Sequence, residues 1–208
     1  MGQQTFTASG TWTPPPGIYW FTTTLKSGGQ GGVNPLGPDG GSGGVGGGFA
    51  YKARTPCTPG VALNVNVGTG GAAGDPPGNG GASSVDDGVT TFCSVSGGGE
   101  AFSFTGDGGW QGGASAPVGG VNGTGGGGAA GYGSAGGDAS GSTGGTGVGG
   151  SGNGGDGGVG LGNNGVAGQT DGGGGGGGAF TGLGAAGARG SVTISWGGGA
   201  VWWPFMTP

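Results

Sequence analysis

The sequence contains no histidine. That removes Ser-His and Cys-His nucleophile systems and every imidazole metal ligand. Charge is nearly as scarce: four Lys plus Arg stand against nine Asp plus Glu, for a net charge of −5. So few cations are ill suited to neutralising phosphates, and no nucleic-acid partner is expected. No apolar run is long enough to cross a bilayer, so no membrane partner is expected either. The first residues carry no export signal, and Met1 reads as a true start. Cys57 lies in a turn-rich stretch and Cys93 on a strand pattern. They fit neither a metal set nor a disulfide framework and are expected as free thiols. Asp86-Asp87 puts two carboxylates side by side, but in a turn pattern. Gly68-Thr69-Gly70-Gly71 follows a strand as a dinucleotide loop would, yet no helix pattern comes after it. Residues 149–154 nearly fit a calcium-binding repeat but lack its aspartate. These absences leave a non-enzyme with no metal and no cofactor.

What the chain has is glycine, 72 of 208 residues, with an unbroken run at 172–178. There is no strict Gly-X-Y period, so this is not collagen. Ordering a residue costs about 1–2 kcal/mol, and glycine brings no side chain to offset it. Two outcomes remain. The runs are disordered Gly/Ser linkers, or they are polyglycine-II-like rods with three residues per turn. One such rod has no internal hydrogen bonds. Several side by side can pair each other's N–H and C=O groups, as buried backbone requires, if only hydrogen points into the contact. Residues 28–33 and 40–48 read as Gly-Gly-X triplets, which three residues per turn would align with every X on one edge. The all-glycine run 172–178 suits the centre of a bundle. Turn-forming residues fall between the runs, at 34–39, 75–79, Ala116-Pro117 and Asn163-Asn164.

Strand patterns bracket the glycine. Short strands are expected at 5–8 and 11–13, and longer ones at 18–26, 49–54, 61–67, 83–85, 89–95 and 191–196. Val61, Leu63, Val65 and Val67 read as an inward face, and single faces are shared by Tyr19, Phe21, Thr23 and Leu25; by Phe49, Tyr51 and Ala53; by Val89, Thr91, Cys93 and Val95; and by Val192, Ile194 and Trp196. A short extra strand is possible at 102–104. The fold class is all-β without helices: a small antiparallel β-sandwich over residues 1–196, carrying a bundle of glycine rods at one end. The glycine-rich excursions cover 27–48, 68–82 and 97–190, and an aromatic C-terminal tail covers 197–208. Antiparallel neighbours send every excursion out of one end and leave the tight turns at the other.

Several motifs then occur in a characteristic order. Thr5-Phe6-Thr7-Ala8-Ser9-Gly10-Thr11-Trp12-Thr13-Pro14 is followed by a strand running into glycine, then Phe49-Ala50-Tyr51-Lys52. Pro59-Gly60, Leu63-Asn64-Val65-Asn66-Val67-Gly68 and a closing Arg189-Gly190-Ser191-Val192-Thr193-Ile194 complete it. This resembles the glycine-rich domain of bacteriophage tail proteins, including minor tail proteins of actinobacterial phages. The resemblance implies a virion location, at the tail tip or in a tail fibre. It also implies loops presented to a bacterial surface by packed polyglycine rods. Pro14-Pro15-Pro16 and the aromatic tail depart from the family's pattern.

Under that reading, Trp110, Gln111, Tyr132 and Phe180 are candidate contacts to a bacterial surface glycan or protein. They are large side chains in a region poor in them, and aromatic rings bind at low entropic cost. The alternative is that they cap the bundle or pack on the sandwich. Asn122, Asp138, Asn153 and Asp156 read as solvated surface. Trp202, Trp203, Phe205 and Met206 are too apolar to leave in water. They are the candidate virion anchor, docking into another virion protein or a symmetry mate of a homo-oligomer, or else folding back on their own sandwich. Two other functions stand beside the tail reading: a capsid decoration or purely architectural virion protein, and an ice-binding polyglycine protein.

Overall fold

The computed structural model describes residues 1–35, 37–118 and 120–197. Among the described residues ten strands form: β1 (Gly2–Phe6), β2 (Gly10–Trp12), β3 (Trp20–Lys26), β4 (Phe49–Pro56), β5 (Leu63–Asn66), β6 (Ser83–Asp86), β7 (Thr91–Val95), β8 (Phe104–Thr105), β9 (Gly108–Trp110) and β10 (Ser191–Trp196). They make two five-stranded antiparallel sheets, ordered β1-β10-β3-β4-β9 and β2-β5-β6-β7-β8. Among the described residues there is no helix. The class is all-β, as the strand patterns imply.

The sheets bury one shared core of Trp12, Phe21, Leu25, Ala50, Leu63, Val65, Val85, Cys93, Val95, Val192 and Ile194. Alternation explains most of it: one residue in two faces inward along each strand. Four residues of the expected faces are exposed instead: Tyr19, Val61, Val89 and Thr91, the last being the first residue of β7. Tyr19 and Val61 stand before the first residue of β3 and β5, so no pleat directs them. Val89 belongs to the β6–β7 turn, where the Asp87 carboxylate accepts the amides of Val89 and Thr90. On β4 the side that carries Phe49 and Tyr51 is not the core side. Ala50 lies across from Leu25, and paired residues share a face. Ala50 therefore enters the core, and Phe49 and Tyr51 turn outward. The 97–190 excursion also begins differently. β8 and β9 leave it to add an edge strand to each sheet, so its rods start beyond Trp110.

The excursions all leave one end of the sandwich. Ser27 donates to Gly48, Gly28 to Gly81 and Gly190 to Gly68 through their backbones. The Ser83 hydroxyl bridges them, donating to the Lys26 carbonyl and accepting from the Gly68 amide. At the other end, Gly60 donates to Pro14 and Cys57 to Tyr19.

Residues 172–178 form the axis of the glycine bundle. Gly174 and Gly177 donate to Gly127 and Thr124; Gly175 and Gly178 to Gln30 and Val33; Gly173 and Gly176 to Gln169 and Val166. In return Gly44 and Gly41 donate to Gly175 and Gly178, Ala188 and Ala185 to Gly173 and Gly176, and Gly155 and Gly158 to Gly174 and Gly177. Partners recur every third residue, the signature of three residues per turn. These bonds span 2.7–3.2 Å. The surrounding rods also bond to one another in the order 27–33, 40–47, 123–130, 152–158, 163–169, 182–189, and back to 27–33. The ring closes, so the axis has a bonded neighbour in each of six directions. Within 27–33 and 40–47, Gln30, Val33, Ser42 and Val45 reach the surface while the glycines between them are buried.

Such contact admits no side chain on the axis. A Cβ at Gly176 would stand 2.0 Å from the Asp156 carbonyl oxygen, whereas one at Gly10 would meet nothing within 4 Å. Gly176→Ala should therefore lower unfolding free energy by about 3 kcal/mol or more. Gly10→Ala should change it by no more than about 1 kcal/mol. Denaturant melts of the two variants check both values.

Candidate functional site

The rods place their turns at two levels. Residues 27–33 run outward from β3, and 172–178 run parallel to them. The far end therefore collects residues 34–35, 37–39, 117–118, 120–122, 159–163 and 179–183. There Val118, Val121, Val159, Leu161 and Leu183 are 48–71% exposed, and Phe180 is half-buried beside them. The turns are tied to one another. Phe180 donates to the Val121 carbonyl, and Gly162 donates to that of Phe180. The Gly160 amide donates to the Asn122 side chain, Leu183 to Asn164 and Gly184 to Asn34. Gly160 and Gly162 adopt positive φ of 83° and 76°, and Thr181 is held at φ 64°. A non-glycine residue there keeps that conformation only when its surroundings enforce it. The result is a fixed, apolar-studded end surface. Sequence patterning singles out only Phe180 of this surface and misses Val118, Val121, Val159, Leu161 and Leu183; apolar residues placed between glycine runs are the signal that could have found them.

Trp110 and Tyr132 meet at the opposite level, where the bundle joins the sandwich. Trp110 ends β9. Its ring lies 5.8 Å from Phe49, 6.0 Å from Tyr51 in a stacked arrangement, and 5.4 Å from Tyr132. Tyr132 occupies the near-end turn closed by Gly131 donating to Ser134, and it also contacts Phe49 and Tyr51. Burial, then the charge of Tyr132 and a hydrogen bond with it, raise the Tyr51 phenol above its ordinary pKa. Lys52 and Asp107 pair at 3.5 Å on the same sheet. The cluster fastens the outer face of the sheet to the bundle. Gln111 is exposed next to it. Phe180 stands at the far end, on the order of 20 Å away along the central rod. The four residues thus divide between two places. Trp202, Trp203, Phe205 and Met206 lie outside the described residues.

The polar residues of the bundle have a definite task. Asp156 and Asn153 accept the amides of Gly144 and Gly147 at 2.8 and 2.7 Å. Asp138 accepts that of Ala114 at 2.8 Å. These donors point sideways from outer rods, where a further rod would otherwise receive them. Carboxylate and amide oxygens take its place and terminate the lattice. In the sandwich, burial pushes the Cys93 thiol up to about 11, so it stays protonated at neutral pH.

Trp110→Ala should remove the fastening and lower stability by about 2–3 kcal/mol, near the lower bound for buried aromatic truncations because the ring is only half-buried. Leu161→Ser, at the exposed end surface, should stay within about 0.5 kcal/mol of the native protein. Equilibrium unfolding followed by Trp emission and far-UV dichroism measures each.

No curated protein matches the sequence. The sequence profile of a family described as a glycine-rich domain matches residues 4–197, from β1 through the last residue of the description. That span takes in both sheets and the whole bundle, and the chain belongs to this glycine-rich domain family.

Proposed function

We propose that the protein is a non-enzymatic component of a bacteriophage virion, placed at the tail tip or in a tail fibre, which contributes to recognition of the host surface. The observation that carries this reading is the division of the molecule into two poles. One pole presents rigid, apolar turns on the end of a rod bundle. The other is the turn end of a sandwich, where Tyr19, Trp20, Val61 and Val89 are 51–95% exposed. A bundle held by backbone bonds tolerates change at the apolar positions of its turns, because the turns are tied by backbone groups and by Asn34, Asn122 and Asn164 rather than by Val118, Val159 or Leu161. Such a scaffold suits a surface that must change to follow a changing receptor. Exposed apolar groups of this extent mark contact surfaces: the far turns for the bacterial surface, the near pole for other virion proteins. The order of strand and glycine motifs supports the phage assignment by resemblance.

Gold-labelled antibody against the chain, imaged on intact virions of the source lysate, tests the location. Label at the distal tail is expected; label over the head would replace this reading with a capsid decoration. Recognition is tested separately with purified protein on host cells. A Val159→Ser, Leu161→Ser double variant should reduce cell-bound protein at least about tenfold, a loss of about 1.4 kcal/mol. Unchanged binding would remove the far turns from the recognition surface.

A further inference from the structure

A second site lies at the waist of the molecule. The link between β1 and β2 and the first residues of the 68–82 excursion face each other across a cavity of about 200 Å3. Thr7, Ser9, Val67, Thr69 and Arg189 line it. The Ser9 hydroxyl oxygen accepts the Val67 amide at 3.0 Å, which leaves its proton to donate. Arg189 enters from the last residues before β10. Its Nη1 donates to the Thr7 carbonyl at 3.0 Å, which fixes the guanidinium at the rim.

Arg189 differs from the other cations of the described residues. Lys26 pairs with Asp171 at 3.1 Å, and Lys52 with Asp107. Arg54 sits 5.5 Å over the Trp20 ring. Arg189 has a single backbone carbonyl as partner, and a guanidinium carries five donors. No carboxylate lines the cavity. A planar fork of this kind matches a carboxylate in two parallel hydrogen bonds. Thr7, Ser9 and Thr69 bring hydroxyl-bearing residues to the same lining, groups that both donate and accept, as sugar hydroxyls require. The volume is below the roughly 300–1,000 Å3 of drug-sized sites, so it admits one sugar residue rather than a chain. The net charge of −5 repels a phosphate dianion more than a carboxylate monoanion.

We infer that this cavity binds a uronic-acid residue of an acidic glycan, with Arg189 on the carboxylate and the three hydroxyls on the ring. The choice of a sugar as the carboxylate's carrier rests on the host-surface reading above. The test is an NMR titration of the full chain with methyl glucuronide, methyl glucoside, acetate and inorganic phosphate. Saturable shifts at the Thr7, Ser9 and Thr69 amides and the Arg189 Hε are expected with the glucuronide, with at least about tenfold weaker binding in Arg189→Gln. No shift with the glucuronide, or equal affinity in Arg189→Gln, overturns the inference. Equal response to acetate or phosphate overturns the sugar assignment. If Arg189→Gln disturbs the fold, the comparison of the four ligands on the native protein decides alone. Cell binding without glucuronide binding overturns the cavity's role only; glucuronide binding without cell binding overturns the host-surface reading and leaves the cavity as a site.

Discussion

The structure depends on one contact that only hydrogen can fill. Along 172–178 the backbone amides and carbonyls reach rods on every side, and a Cβ at Gly173, Gly175, Gly176 or Gly177 would stand 2.0 Å from a neighbour's carbonyl oxygen. Ordinary cores gain stability by burying side chains. This region buries peptide groups, and it can do so because each is paired within the lattice. The many glycines that would disorder an isolated chain are the condition for packing once several rods lie side by side. The ordering cost of glycine is met collectively, which makes the bundle cooperative: an axis without its ring has no partners.

The sandwich makes that collective arrangement possible. Its antiparallel order returns each excursion to the same end, so rods far apart in sequence start from fixed neighbouring points. Ser83, between the Lys26 carbonyl and the Gly68 amide, locks two of those points together. Trp110, Phe49, Tyr51 and Tyr132 lock the bundle to the sheet on another side. At the outer boundary, Asp138, Asn153 and Asp156 supply acceptors where the next rod is missing. Large side chains are left for the turns, and the far turns are where they are exposed.

Much of this was legible from residue order. The alternation of Leu63, Val65 and Val67 and of Val192 and Ile194 marked core strands correctly, and Gly-Gly-X triplets marked the outward edges of rods. The pure run 172–178 marked the axis, because only an axis must lack side chains on every side. Other features depended on partners that periodicity cannot see. Val61 and Tyr19 continue a pattern whose strand begins just after them. The face of Phe49 and Tyr51 was set by the register of Ala50 against Leu25. The caps of Asn153 and Asp156 are defined by amides six and twelve residues away in sequence, on another rod, so they read as plain surface. Trp110, Gln111, Tyr132 and Phe180 looked alike in composition, and the folding of the rods separated Phe180 from the rest. The Arg189 cavity joins residues near positions 8, 68 and 189, a conjunction that no local motif carries.

Hydrogen exchange of the backbone amides of residues 172–178 in the intact protein tests the central claim most directly. A closed lattice predicts protection of those glycines comparable to that of Val65 and Ile194 in the sandwich core, lost only on global unfolding. Exchange at the rate of a free glycine linker, with the core strands still protected, would contradict it.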